Sequence, residues 1–250
     1  MKYCLLLIII FSTAVANAQF NMNFYTQAGG NYTTIRIPRT TGVESSNGGF
    51  GWNVGIGTEY HTVFGYFLYV GVGLAKESYS KDSVSAFFPD TVTNFIYKPL
   101  FLSFPFGLGY QFPLNKKVSL KVYGGLNIQV GVSGKVNRRD LYYMYDSTLQ
   151  QTVLTRTEIS EHDMRFGRVS RKKYSYDYAN STWGAFVGTG ICLNNSFELN
   201  VFYHHGFTNF LPGRDFAVEI NKLSYFEVNG RMYLPNHYFG GKKKEKRSPY

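Results

Sequence analysis

Between residues 117 and 132 the chain reads KVSLKVYGGLNIQVGV, and apolar and polar residues alternate almost without a slip. Val118, Leu120, Val122, Leu126, Ile128, Val130 and Val132 share one face; Ser119, Lys121, Tyr123, Gly125, Asn127, Gln129 and Gly131 share the other. A period of two over this length predicts a half-buried β-strand. The same pattern recurs along the chain and predicts eight strands: 20–35, 50–61, 66–76, 99–112, 117–132, 182–193, 197–207 and 222–234. Helical periodicity is nearly absent.

Which face is buried follows from the polar one. It is built from Gly, Asn, Gln, Ser and Tyr with few charges, where a strand facing bulk water is rich in Lys, Glu and Thr. Small polar residues suit a narrow closed interior. The strands are also long, about 11–14 residues against a usual five or six, and a tilted membrane strand needs about 9–11. The apolar side therefore faces lipid. The expected fold is all-β: an eight-stranded antiparallel up-and-down transmembrane β-barrel. Connectors agree, with tight turns at 62–65, 113–117 and 194–196 alternating with long links at 38–49, 77–98, 133–181 and 208–221. Outer-membrane barrels show this asymmetry, with short periplasmic turns and long extracellular loops. An even strand count puts both termini in the periplasm.

The start, MKYCLLLIIIFSTAVANAQ, has a basic residue at Lys2, a short apolar run and a small-x-small site at Ala16-Asn17-Ala18. These are the marks of a secretory signal peptide. The expected organisation is a signal peptide at 1–18, one barrel domain at 19–235 and a basic periplasmic tail at 236–250. Removing the leader removes Cys4 and leaves Cys192, so neither an internal disulfide nor a usual zinc site can form. The formal charge of +10 and pI of about 9.4 would suit nucleic acid. In an exported chain without a nucleic-acid motif, they point instead to anionic lipid headgroups.

Candidate chemistry is sparse. Glu59, Lys121, Glu198, Glu227 and Arg231 all fall on the inner face. Buried charges need partners, so an ion-paired polar network plugging the lumen is expected, with a selectivity lining as the alternative. Eight strands enclose little more than their own side chains, which argues against a diffusion channel. His204 and His205 are adjacent on a strand, face opposite sides and cannot chelate one metal together. His204 is placed where a rim base could sit, but no serine–carboxylate pattern accompanies it.

The link at 133–181 exceeds the length of an ordinary loop. It carries Tyr142, Tyr143 and Tyr145, and then a basic run, Arg165, Arg168, Arg171, Lys172 and Lys173, interleaved with Tyr174, Tyr176 and Tyr178. Two uses are open: a base set among lipopolysaccharide phosphates, or a surface for a protein partner, since Tyr and Arg anchor interfaces. Residues 149–159 could extend the strands above the membrane.

The runs VGVGLAK, PLFLSFPFGLGYQF and VSLKVYGGLNIQVGV, with AGGNYTTI early and FELNVFYHHGF late, resemble the PorT-like outer-membrane β-barrel family. The resemblance spans residues 19–234. It implies an eight-stranded barrel and permits an accessory role in a protein-secretion machine. The expectation from all these features is a non-enzymatic outer-membrane protein without cofactor or metal. It would act as a structural or binding surface through its long loops, in contact with lipid and lipopolysaccharide. The alternatives are a secretion component and, more remotely, a lipid-modifying enzyme at the lumen rim.

Overall fold

The computed structural model describes residues 21–36, 45–84, 91–167, 178–208 and 222–234. The expected signal peptide and basic tail lie outside these residues, as do parts of the long links. All the described regular elements are strands. They are β1 (Asn21–Arg36), β2 (Ser45–His61), β3 (Tyr66–Lys76), β4 (Tyr79–Val84), β5 (Thr91–Pro113) and β6 (Val118–Asp146). They continue as β7 (Gln151–Asp163), β8 (Phe166–Gly167), β9 (Tyr178–Ala179), β10 (Ser181–Leu193), β11 (Phe197–Gly206) and β12 (Lys222–Tyr233).

Eight of these close a ring in the order β1-β2-β3-β5-β6-β10-β11-β12, each antiparallel to its neighbours. The seam joins β12 to β1, from Tyr25 opposite Tyr233 to Arg36 opposite Lys222. Closure leaves no unpaired edge in the wall, which a strand-built membrane span requires. The faces sort as the alternation predicts. Tyr25, Phe67, Tyr69, Tyr123 and Phe202 are buried inside, while Ile56, Leu108, Val187 and Val228 stand exposed outside.

The short turns gather at one end of the ring. Gly65 takes φ +87° between β2 and β3, and Asn194 and Asn195 take φ 52° and 53° between β10 and β11. Glycine and asparagine tolerate this left-handed region, so both turns can be tight. In the β5–β6 turn, Asn115 Oδ1 accepts hydrogen bonds from the N–H groups of Lys117 and Val118, each at 2.8 Å. Asn21 and Leu234, the first and last described residues, lie at this same end beside Asn195 and Ser196.

At the opposite end two expected loops are largely strand. β5 begins at Thr91, not at 99, and β6 runs on to Asp146, not 132. β4 bridges β2 and β5, and β7 folds back along β6, so the sheet β2-β4-β5-β6-β7 projects beyond the ring. The reason is local. Leu100 pairs with Ser133 but Phe101 pairs with Gly131, so Val132 is an extra residue in β6. Such a bulge exchanges the two faces: odd residues of β6 point inward before Val132, and even ones, such as the buried Val136 and Asp140, after it. An unbroken period-two reading therefore stops at this point although the strand does not.

Candidate functional site

The lumen is filled in layers that follow the inward residues of the strands. Nearest the turn end, Lys121 Nζ lies 2.7 Å from Glu59 Oε2 and 2.9 Å from Glu198 Oε2. Arg231 Nη1 lies 3.2 Å from Glu59 Oε1 and 3.8 Å from Glu198 Oε1. Two carboxylates thus share two cations, and the lumen carries no unbalanced charge at this level. Tyr233 Oη accepts from Lys121 at 2.7 Å and sits 2.6 Å from Glu198 Oε2; Tyr123 also donates to Glu198. His61 Nε2 reaches Glu59 Oε2 at 2.8 Å. Out of water, ions are tolerated only with this density of partners.

Arg231 joins this layer to the next. Its guanidinium lies 4.5 Å from the ring centre of Tyr25, 5.0 Å from Tyr123, 5.3 Å from Phe202 and 5.5 Å from Tyr69. Phe67, Tyr69, Tyr123, Phe186 and Phe202 pack into an aromatic belt above it. Glycines make the room: a Cβ at Gly188 would come within 2.2 Å of the Phe202 ring. Beyond the belt is a second polar layer. Glu227 Oε2 lies 3.2 Å from His204 Nε2, and Asn200 Nδ2 donates to Asn229 Oδ1 at 3.2 Å. An apolar cap of Tyr79, Phe101, Val136, Met164, Leu223 and Tyr225 finishes the stack.

Of the five lumen residues predicted from sequence, the structure brings Glu59, Lys121, Glu198 and Arg231 together and sets Glu227 apart, paired with His204. The void bordered by Asn53, His204, Glu227 and Arg231 holds about 30 Å³, room for about two water molecules. A bowl of about 360 Å³, lined by His61, Lys121, Cys192 and Tyr233, opens at the turn end. The ion-paired layer is its floor. His204 stacks on Tyr225 at 4.1 Å, while His205 faces the other way, its Nδ1 3.2 Å from Ser224 Oγ. No group of three metal-ligating side chains occurs among the described residues.

The projecting sheet carries the other predicted residues. Tyr142, Tyr143 and Tyr145 do not form one cluster, because strand alternation divides them. Tyr142 faces inward, donates to Glu158 at 3.3 Å and lies 5.9 Å from the Arg156 guanidinium. Tyr143, opposite Leu154, and Tyr145, opposite Thr152, face outward. Arg165 is exposed beside β8. Arg168, Arg171, Lys172, Lys173, Tyr174 and Tyr176 lie outside the described residues.

Sequence reasoning missed the charged pairs of this sheet. Arg138 Nε meets Asp140 Oδ2 at 2.9 Å, Arg156 pairs with Glu158, and Lys135 pairs with Glu161. The hydrogen bond from Lys135 holds the Glu161 carboxyl below the usual carboxylate range, and the same bond raises the Lys135 ammonium. Burial and then the Glu158 charge raise the Tyr142 phenol. The run VNRRDLYYMYD could have announced the strand by its three tyrosines, had the face exchange at Val132 been visible.

A closed ring with lipid-facing apolar residues and a packed polar lumen defines a transmembrane β-barrel. The chain belongs to the outer membrane protein beta-barrel domain family, whose model matches residues 4–223. That membership places it in an outer membrane. The match is to the family at large and does not single out its PorT-like members. No curated protein matches the chain. Among solved structures, Neisserial surface protein A is 13% identical with a TM-score of 0.38, covering 85% of this chain and 98% of that one. Ail, the attachment invasion locus protein of Yersinia pestis, crystallised with the heparin analogue sucrose octasulfate, is 10% identical. Its TM-score is 0.36, with 86% of this chain and 99% of that one covered. OprG from Pseudomonas aeruginosa is 9% identical with a TM-score of 0.35, covering 87% and 98%.

Proposed function

We propose that this protein is a non-enzymatic barrel whose lumen is a structural plug and whose work is done by the projecting sheet. In this reading the turn end faces the periplasm and the projecting sheet faces the cell exterior, as the short-turn, long-loop asymmetry requires. One observation carries it. Charge, aromatic, polar and apolar layers stack across the lumen, while β5 and β6 run to 23 and 29 residues, far past the length a bilayer needs. Long ordered strands outside the membrane serve contact with something outside it. The basic residues at 165–173 suit lipopolysaccharide phosphates near their base, and the tyrosines and arginines above suit a protein partner.

The test is complementation of a strain lacking the protein. A chain with residues 137–160 replaced by a short Gly-Ser turn should insert as a barrel, shifting in gel mobility when boiled, and fail to restore the phenotype. His204→Ala and removal of residues 236–250 should restore it. Loss with His204→Ala alone would overturn the reading in favour of lumen chemistry. Loss on removing the tail alone would favour a periplasmic role as a secretion component.

A further inference from the structure

The outward face of the projecting sheet has the wrong polarity for a surface that stays in water. Above the lipid belt comes a charged band: Lys98, Lys135, Arg139, Glu161 and Asp163 all point outward, by their register. Beyond that band the face turns apolar again. Val92 pairs with Leu141 and Tyr143 with Leu154, Tyr145 lies further out on the same side, and Ile159 sits opposite Arg139 at the upper edge of the band. Ile159 is 68% exposed, Tyr145 62% and Leu154 51%. The inward face of the same strands holds the charged pairs of Arg138 with Asp140 and Arg156 with Glu158. Both faces of the sheet meet water: on the inner side Arg138, Arg156 and Glu158 are 49%, 70% and 44% exposed and suit it. The apolar outer side does not, and it stands about 25 Å above the lipid belt, ten residues up a tilted strand. Its own bilayer cannot cover it.

We infer that this face packs against the same face of a second copy of the chain. The charged band selects that occupant. On β6 it is basic, with Lys135 and Arg139; on β7 it is acidic, with Glu161 and Asp163. Two barrels in one membrane can be related only by a two-fold axis along the membrane normal. That operation reverses left and right across the contact, bringing β6 of one copy before β7 of its partner. Basic edge then meets acidic edge on both sides of a shared apolar patch, which satisfies the charge pattern of an isologous interface. The inference rests on reading the sheet as a contact surface and names one occupant of its outer face.

The test uses full-length protein in outer-membrane vesicles, with Leu154→Cys and a short bis-maleimide crosslinker. Cys192 lines the turn-end bowl although only 2% exposed, so all variants are made on a Cys192→Ser background. Leu154→Cys should crosslink to a dimer; Val187→Cys, on the lipid-facing wall, should not. Adding Lys135→Glu or Asp163→Lys to Leu154→Cys should each cut the homodimer about tenfold. Coexpressing those two chains should restore a crosslink between them, although each still carries its own internal repulsion. Every variant must keep its heat-dependent gel shift, so that a misfolded barrel is not read as a monomer. A folded wild-type face that gives no Leu154→Cys crosslink overturns the dimer, as does a charge-reversed pair that fails to recover. If the hairpin deletion still fails to complement in that case, the binding-surface reading stands and its partner is another protein.

Discussion

Arg231 offers the sharpest test of the lumen. Its side chain is 2% exposed and serves Glu59, Glu198 and Gln27, the last at 3.1 Å. Arg231→Met keeps most of the volume and the contact with the surrounding rings but removes one of two cations. Glu59 and Glu198 are then left with Lys121 alone. Breaking one member of a buried ion network costs about 3–5 kcal/mol, because a charge is stranded out of water. If charge balance is the cause, a second substitution should undo much of the first. Glu198→Gln beside Arg231→Met leaves Glu59 with Lys121 at 2.7 Å, a complete pair. The double variant should lie below the sum of the singles by about 2–3 kcal/mol, the upper range of couplings between groups in contact.

Urea unfolding of the barrel in lipid vesicles, followed by tryptophan fluorescence and by the heat-dependent gel shift, gives the needed free energies. Arg231→Met within about 1 kcal/mol of wild type would mean that the aromatic cage, not the charge, holds this layer. So would strict additivity of the two substitutions.

Other outcomes follow from the same geometry. Gly188→Leu should destabilise the barrel by about 1–3 kcal/mol through overpacking against Phe202. Gly124→Leu, at a position where an added Cβ meets nothing within 4 Å, should be close to neutral by the same urea assay. Val187→Arg on the lipid-facing wall should cost about 2–4 kcal/mol if that site lies near the bilayer midplane; a neutral result would deny that this face meets lipid. The Lys135–Glu161 pair should strengthen hairpin order between two limits. Glu161's depressed pKa makes its contribution present at neutral pH and lost as pH falls through the folded value. Lys135's raised pKa makes its contribution present at neutral pH and lost as pH rises through its own. Carboxyl NMR of Glu161 should show its titration moving upward in Lys135→Met, and an unmoved titration would refute the pairing.

The wall of the barrel was legible because the bilayer punishes any departure from alternation. Inward Asn127 sits between Leu126 and Ile128, and inward Glu227 between Phe226 and Val228, and those apolar neighbours must meet lipid. Orientation of Glu59, Lys121, Glu198 and Arg231 followed from parity alone. Their assembly did not: Glu59 and Arg231 stand 172 positions apart in the chain, and only closure of the ring decides that they meet while Glu227 turns to His204. The projecting sheet was hidden for a different reason. Outside the membrane alternation is no longer enforced by lipid, and one bulge at Val132 was enough to shift the phase.

That shift also explains the polarity of the sheet. In the membrane, the inner face is polar because the lumen is closed and the outer is apolar because lipid surrounds it. Past Val132 the faces exchange residue parity and each becomes mixed: Arg138, Asp140, Arg156 and Glu158 lie inside with the buried Val136, while Leu141, Tyr143, Leu154 and Ile159 lie outside with the charged band. A strand merely overshooting the bilayer would meet water on both faces and need no apolar side. The band of Lys135, Arg139, Glu161 and Asp163 separates this apolar exterior from the lipid belt, and that separation is what the proposed contact surface rests on. The burial of such a face is worth about 25 cal/mol per Å², available only when another surface covers it. Under the proposed reading that surface is a second copy of the chain, and the charges that frame the apolar patch set its register.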